Sequence, residues 1–472
     1  MLRIGSCLGA FVLATSVASA ATIVVKPGSS VPTIQFGIDA AAPGDTVTVM
    51  SGVYHESLVI PLGKPLALKA KGTVIVDGRG AGGAAHGPGI RVFDPSVSIR
   101  GFRFRDQSDM GPGNPGIGVI AAPAGLGLGI VIEACSFEYC RDGGIAMSGA
   151  SLTVRKCSFR DVTNGFGVGV DGFGAVIENC QFAGSHGIDV DGGEARVRGN
   201  TLRDCPSATG IRVISNGALI EKNTILGCEG VGILHVGDDG VVRKNKVEHC
   251  EDRGILHDSG SHCVLESNVV DGAVREGILL GGAFSVARKN VVRHVRNGFA
   301  SPTLLASNPA GMLVFGGSVV VEANVIEDCA GDGLRVSSGG AEVVKNRISR
   351  CGTNSAFGLL AEGTNFVAVG NVVIGVRGDG FVVNASPAEV TSNRASSCTR
   401  DGFEANFPTQ TFEKNTATGN GAEGFDLGAP NLTFRKNVAK GNRLDVAASI
   451  PVMTFEFNAF GSGGPLTPPE VD

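Results

Sequence analysis

The sequence predicts an all-β protein: a single-stranded parallel β-helix with coils of about 22 residues and a short N-terminal capping helix. Three observations point there. Glycine supplies 72 of 472 residues, tryptophan is absent and tyrosine occurs twice, a composition of frequent turns around a repetitive core. One reference position recurs, first as Phe102, Cys135, Cys157 and Cys180, then as Asn200, Asn223, Asn245, Asn268, Asn290, Asn324, Asn346, Asn371, Asn393, Asn415, Asn437 and Asn458. Of its 15 intervals, 13 fall between 20 and 25 residues and the others are 33 and 34. Charge alternates with the same period. Two residues before the reference position stand Arg100, Glu133, Arg155, Glu178, Arg198, Glu221, Arg243, Glu266, Arg288 and Glu322, and Glu413, Arg435 and Glu456 resume the order.

Each unit divides into three short strands of period two between Gly, Asn or Asp turns. One unit runs Gly232–Val236, a turn at Gly237–Gly240, Val241–Lys244, Asn245 and Lys246–His249. Three strands per unit, with no long helical stretch between them, stack at about 4.8 Å per coil and make a rod on the order of 75 Å long. A leucine-rich repeat has a similar period but needs a leucine consensus and a convex helix, which this sequence lacks. Residues one coil apart are cross-strand neighbours. The alternating Arg and Glu are therefore an outward ion-pair ladder that fixes register, each pair contributing ~0.2–1 kcal/mol.

Residues 1–20 read as a cleavable signal peptide. Arg3 is the only charge, an apolar run covers Leu8–Val17, and Ala18-Ser19-Ala20 is an A-x-A cleavage site. Cys7 opens the apolar run instead of following it, which argues against a lipid anchor. The mature chain is expected to be secreted or periplasmic. It has no transmembrane segment, because no other apolar stretch approaches the roughly 20 residues a span needs. Residues 21–72 form an N-terminal cap with the leading strands. Within them Thr33–Ala40 has helical spacing, and a short amphipathic helix there covers the open end of the stack. Residues 73–460 are the β-helix, and 461–472, rich in Gly and Pro, are a flexible tail.

A hydrophobic share of 43% excludes a disordered chain. A net charge of −5, from 40 basic and 45 acidic residues, excludes a basic nucleic-acid binder. Five residues after the reference position come Cys140, Cys205, Cys228, Cys250, Cys329, Cys351 and Cys398, with Val or Ala in other coils. Cysteine exchanging with Val and Ala behaves as a small buried hydrophobe, so free stacked thiols are expected over a disulfide framework. No C-x-x-C pair or Cys/His cluster in the linear pattern indicates a metal site.

The segment PTIQFGIDAAAPGDTVTVMSGVYHESLVI, followed by KPLALKAKGTVIVDG, resembles the N-terminal region of pectin-lyase-like right-handed parallel β-helix proteins. The repeated N-x-[IV]-x-x-C-x-x-x-G-I pattern is similar to their PbH1 repeats, as in NosD-like and carbohydrate-binding or sugar-hydrolase members. The resemblance covers roughly residues 22–460 and implies a right-handed helix. It does not choose among lyases, hydrolases, epimerases, adhesins and non-catalytic binders.

In enzymes of that family the site lies on the outer face of the strand after each repeat's Gly. With Ile188, Ile211, Ile233 and Phe381 inward, the second and fourth strand residues point out. Asp171, Asp189, Asp191 and Arg212 then gather on three adjacent coils, with His186 just before the strand. Such carboxylates can divide acid and base roles or bind Ca²⁺, and the arginine can hold a substrate carboxylate. Ser185-His186-Gly187-Ile188 and Gly210-Ile211-Arg212-Val213 are similar to the Gly-His-Gly and Arg-Ile-Lys elements of polygalacturonase-type hydrolases. Ser185 departs from the first and Val213-Ile214 from the second. Solvated turn residues are the alternative.

His235 and His257 occupy inward positions on adjacent coils and are expected to be a neutral core pair. Asp238-Asp239 is expected to be a solvated turn. Leu234, Leu256, Leu279 and Leu313 form an outward apolar stripe, to be covered by the insertion Asn297–Ala310 or by self-association. Two function classes follow. The first is a non-catalytic binder of polysaccharide or another cell-envelope surface. The second is a lyase, hydrolase or epimerase acting on a uronate polymer. The lack of tryptophan platforms and the minimal turns favour the first.

Overall fold

The computed structural model describes residues 20–79, 87–108, 116–122, 129–149, 151–296, 309–352, 356–448, 454–456 and 458–461. The leader, the loop insertion and the tail expected from the sequence lie chiefly at 1–19, 297–308 and 462–472, outside the described residues. The chain winds as a right-handed parallel β-solenoid of about 18 turns, with a single short helix among the described residues. Each coil contributes three strands, for example Thr209–Ile214, Leu219–Glu221 and Thr224–Cys228. Each strand pairs in parallel with its equivalent one coil away, as Ile188 with Ile211 and Asn200's neighbour Thr201 with Thr224.

At the N-terminus, Ile34–Ala40 forms the expected helix. The Thr33 hydroxyl accepts from the Phe36 amide at 3.2 Å and caps it. Ile34 and Ile38 point into the end of the core, and Gly37 lets the helix approach so closely that a Cβ there would meet Val25 at 2.5 Å. The strand Leu66–Asp77 runs on in parallel register between Thr46–Tyr54 and Val97–Arg105.

Inside the coils the reference asparagines from Asn200 to Asn437 are fully buried, Asn458 is half-buried, and all are bonded in series. Asn245 shows the pattern. Its Nδ2 donates to Asn268 Oδ1 at 3.0 Å and to the Ile220 carbonyl at 2.9 Å, and its backbone N–H donates to the same Oδ1 at 3.0 Å. One amide therefore joins its coil to both neighbours. The bonding recurs from Asn200 to Asn458. The residue just before each asparagine from Asn200 to Asn437 is left-handed, as Lys222, Lys244, Lys289, Lys414 and Lys436 at φ near 56°. That backbone costs an L-residue roughly 1–2 kcal/mol, and the amide network offsets it. In the earlier coils, Phe104, Phe137, Phe159 and Phe182 stack with ring centroids 4.6–5.1 Å apart. The cysteines from Cys135 to Cys398 are buried and free, with Cys205, Cys228 and Cys250 in register.

The charge ladder lies outside as expected, and it has a direction. From Arg155 onward the arginines close on the glutamate of the preceding coil: Arg155 on Glu133 at 3.0 Å, Arg198 on Glu178 at 2.6 Å, Arg243 on Glu221 at 2.8 Å and Arg288 on Glu266 at 3.0 Å. Arg100, which opens the ladder, reaches Glu133 of the following coil at 3.9 Å. The leucine stripe is less bare than its alternation suggests, since Leu279 is buried and Leu234, Leu256 and Leu313 are half-buried.

Replacing Asn268 by Ala strands the Asn245 side-chain and backbone donors and the Val242 carbonyl in the core. Urea unfolding is expected to show a loss of about 3 kcal/mol or more. Lys246→Ala on the exposed face one coil earlier is expected to stay within roughly 0.5 kcal/mol of wild type.

Candidate functional site

The strands that follow each repeat's glycine stack into one sheet. Their inward residues, such as Ile188, Val190, Ile211 and Val213, are completely buried, which fixes the outward set by period two. Two outward columns result. One runs Arg91, Ile120, Ala146, Gly169, Asp189, Arg212, each paired in register with the next. The other includes Ser148, Asp171, Asp191 and Ile214. Asp191 closes its strand ahead of Gly192, whose φ is +134° and where a Cβ would come within 2.4 Å of the Gly172 carbonyl oxygen. Glycine is therefore required at that corner.

Asp171, Asp189, Asp191 and Arg212 line one groove of about 410 Å³, together with Ile120–Ala122, Ala146–Ser148, Gly169 and Val170. Arg212 Nη1 donates to Asp189 Oδ1 at 2.5 Å, and both side chains are half-buried. The guanidinium is thus held by its own sheet neighbour. Asp171 and Asp191 face each other across adjacent strands and are exposed. Like charges so placed repel unless a cation lies between them, so these two are the groove residues able to hold Ca²⁺. The three groove aspartates do not form a trio with ligand atoms within 4.8 Å of one another. His186 does not line the groove. It begins the strand, opposite Phe166, with the two rings edge-to-face at 6.5 Å.

The sequence reading missed the groove's continuation. A second concavity of about 170 Å³, lined by Arg91, Val92, Phe93, Ile120 and Ala122, shares two residues with the first. Phe93 is 40% exposed there. The signal was available, because Gly89-Ile90-Arg91-Val92-Phe93 repeats the Gly-Ile alternation one residue in, one out.

Two side-chain clusters also escaped the linear pattern. Asp379, Asp401 and Glu404 come together at the corner leading into the same sheet, farther along the rod. Asp379 accepts from the Asp401 amide at 3.0 Å and from Arg400, and Asp401 accepts from the Glu423 amide at 2.8 Å. Burial, then contact with Glu423, pushes the Asp401 carboxyl up to about 7. The other cluster joins His235 and His257 to Cys263, all fully buried. The expected histidine pair is present, with rings stacked at 5.1 Å. Burial lowers both imidazoles, His235 to about 4, the neighbouring ring adding to the effect at His235. The absence of any Cys/His cluster, expected from linear spacing, is thereby corrected. Cys263 reaches the pair because the corner before its strand stacks directly beside that column.

Parallel strands coiled in a single right-handed solenoid, with an open groove on one outer sheet, define a right-handed β-helix protein. The family described as "Right handed beta helix region" matches residues 143–294 and 298–443, and the chain belongs to it. No curated protein matches the sequence. Among solved structures, a periplasmic alginate epimerase is 12% identical with a TM-score of 0.41, covering 70% of this chain and 77% of its own. The mannuronan C-5 epimerase module of Azotobacter vinelandii is 16% identical, TM-score 0.32, covering 73% and 91%. A bacteriophage tailspike protein is 10% identical, TM-score 0.44, covering 80% and 63%. Among the described residues no helix is long and apolar enough to cross a membrane.

The raised Asp401 carboxyl predicts a pH signature. The folded chain keeps a proton that the unfolded chain releases near pH 4, so stability falls as pH rises from about 4 to about 7 and then levels. Asp401→Asn retains an acceptor for the Glu423 amide. Its thermal midpoint is expected to exceed wild type by on the order of a few degrees at pH 8 and to equal it at pH 4.

Proposed function

We propose that this protein is an exported, non-catalytic rod that holds a polysaccharide chain in the groove between Phe93 and Arg212. The observation that carries the reading is the continuity of that groove. Outward residues of six successive coils, from Arg91 to Arg212, form one trough of about 24 Å at the inter-strand spacing. Its length suits an internal stretch of a polymer. Phe93 offers an apolar ring face at one end, the side chain that sugar faces pack against. Small residues, Ala121, Ala122, Ala146 and Gly169, leave the middle open, and the polar group at the far end supplies hydrogen-bond partners. Arg212 is bonded to Asp189 and His186 stands outside the groove, an arrangement built for contact more than for proton transfer.

A second reading has its own support. Asp189, Asp191 and Arg212 share one groove on adjacent coils, so a lyase, hydrolase or epimerase acting on a uronate polymer is the alternative. Asp171 and Asp191 would then be the Ca²⁺ ligands.

The test is a polysaccharide panel incubated with the mature protein in D₂O, with and without Ca²⁺. Bound polymer is read by calorimetry and its covalent state by mass spectrometry. The binding reading expects at least one polymer to bind and be recovered unaltered, with Phe93→Ala and Arg212→Ala each weakening it tenfold or more, about 1.4 kcal/mol. Unsaturated ends, added water or deuterium on a sugar carbon, lost in Asp189→Ala, would establish the catalytic reading instead. Failure to bind any polymer would sink the groove as a glycan site.

A further inference from the structure

The buried cluster of His235, His257 and Cys263 is built more specifically than core packing requires. Val213, His235, His257 and Leu280 form one inward column, so two imidazoles interrupt an aliphatic stack. The fold makes room for them. Gly240, one coil before Cys263 at the same corner, faces His235, and a Cβ there would lie 2.1 Å from Cε1.

Hydrogen positions give the second argument. His235 Nε2 faces the Ser215 carbonyl at 3.1 Å, and His257 Nε2 faces the Gly260 carbonyl at 3.3 Å. Between the rings, the two Nδ1 atoms face each other at 3.1 Å. Both outer partners only accept, so the three contacts need three hydrogens, while two neutral imidazoles carry two. One contact is therefore short of a proton. An ion between the two Nδ1 atoms removes the conflict. Each ring then keeps its proton on Nε2 for a carbonyl, the outer-shell bond that orients metal-bound histidines. Two nitrogens bound to one ion at about 2.0–2.1 Å stand close to the observed separation. Cys263 Sγ lies within 4.8 Å of a ring nitrogen of each histidine, and Asp238, Asp239 and Asp258 in the adjoining turns place negative charge around the cluster.

We propose that His235 Nδ1, His257 Nδ1 and Cys263 Sγ bind one monovalent copper ion inside the rod. Thiolate and imidazole are donors that copper in this state accepts. Zinc takes four ligands in structural sites, and the cluster supplies three. Cu(I), one thiolate and two neutral imidazoles sum to zero, so the ion and its three ligands together add no net buried charge. On binding, the S–H bond of Cys263 breaks, the Cu–S bond forms, the proton leaves to solvent, and no electron is transferred.

The test uses full mature protein purified from copper-supplemented cells, and metal-stripped protein reloaded anaerobically with Cu(I)–acetonitrile. Both are dialysed against bicinchoninate. Retained metal is quantified and its shell read by X-ray absorption. One equivalent with two imidazole nitrogens and one sulfur is expected. Retained copper should fall more than tenfold in His257→Leu and in Cys263→Ala. Both variants introduce residue types already present in those columns, Leu280 and Ala218, and circular dichroism checks that the coil stack is kept. Three outcomes overturn the proposal. One is wild-type protein without copper after both treatments. Another is a sulfur-only shell that survives Cys263→Ala and disappears in Cys157→Ala. The last is preferential retention of Zn²⁺ when both ions are supplied.

Discussion

The asparagine ladder is the constraint on which the rest of this protein depends. A parallel coil needs a sharp corner after its second strand, and here a left-handed residue such as Lys244 makes that corner at the cost of backbone strain. The buried asparagine that follows bonds to the coils on both sides, which holds the corner and sets the register together. A one-residue slip would set asparagines against flanking residues such as Lys244 or Lys246 and break the amide series along the whole ladder. Register in turn brings the outer side chains into columns. The arginine–glutamate ladder outside is therefore largely a consequence of the amides inside.

Where asparagine gives way to Cys135, Cys157 and Cys180, the interior is held by stacked phenylalanines and small thiols. The groove lies over this part of the rod. Its outer columns carry small residues between Phe93 and the Asp189–Arg212 pair, while the coils beyond carry leucines half-buried at the same positions. One sheet thus passes from a polar, open stretch through an apolar one from Leu234 to Leu313 and on to charged residues at Arg335 and Glu404, with no change in backbone architecture. The family match covers residues 143–294 and 298–443, and the coils differ both in their outward columns and in the interior residues that hold them.

Most of the fold was legible because a solenoid repeats its evidence. Sixteen copies of one corner announce a period, and alternating charge announces neighbours. Thr33 and the spacing of Ile34 and Ile38 were enough to place the cap. The candidate site was legible in part. Asp171, Asp189, Asp191 and Arg212 share a groove because period two and register are both readable from sequence. His186 fell away because it begins the strand, ahead of the outward columns, and packs beside Phe166. Phe93 was missed because the coil that carries it precedes the regular spacing. The meeting of Cys263 with His235 and His257 was hidden for another reason. It depends on how a corner of one coil sits beside the wall of the next, and no linear spacing expresses that.

The ladder also has a sense. Every asparagine turns its carbonyl oxygen toward the coil before it and passes an amide hydrogen to the coil after it, so the dipoles add head to tail. Backbone bonds between the strands run in both senses and largely cancel. The side-chain amides do not cancel, and each polarises the next. The rod is in this respect a polar filament, and its two ends differ in chemistry as well as in shape. At the N-terminal end the series finishes on a backbone donor, the Cys180 amide bonded to Asn200. A repeat added at the N-terminal end would meet a carbonyl acceptor, Asn200 Oδ1, and one added at the C-terminal end an amide donor, so the two ends offer opposite chemistry.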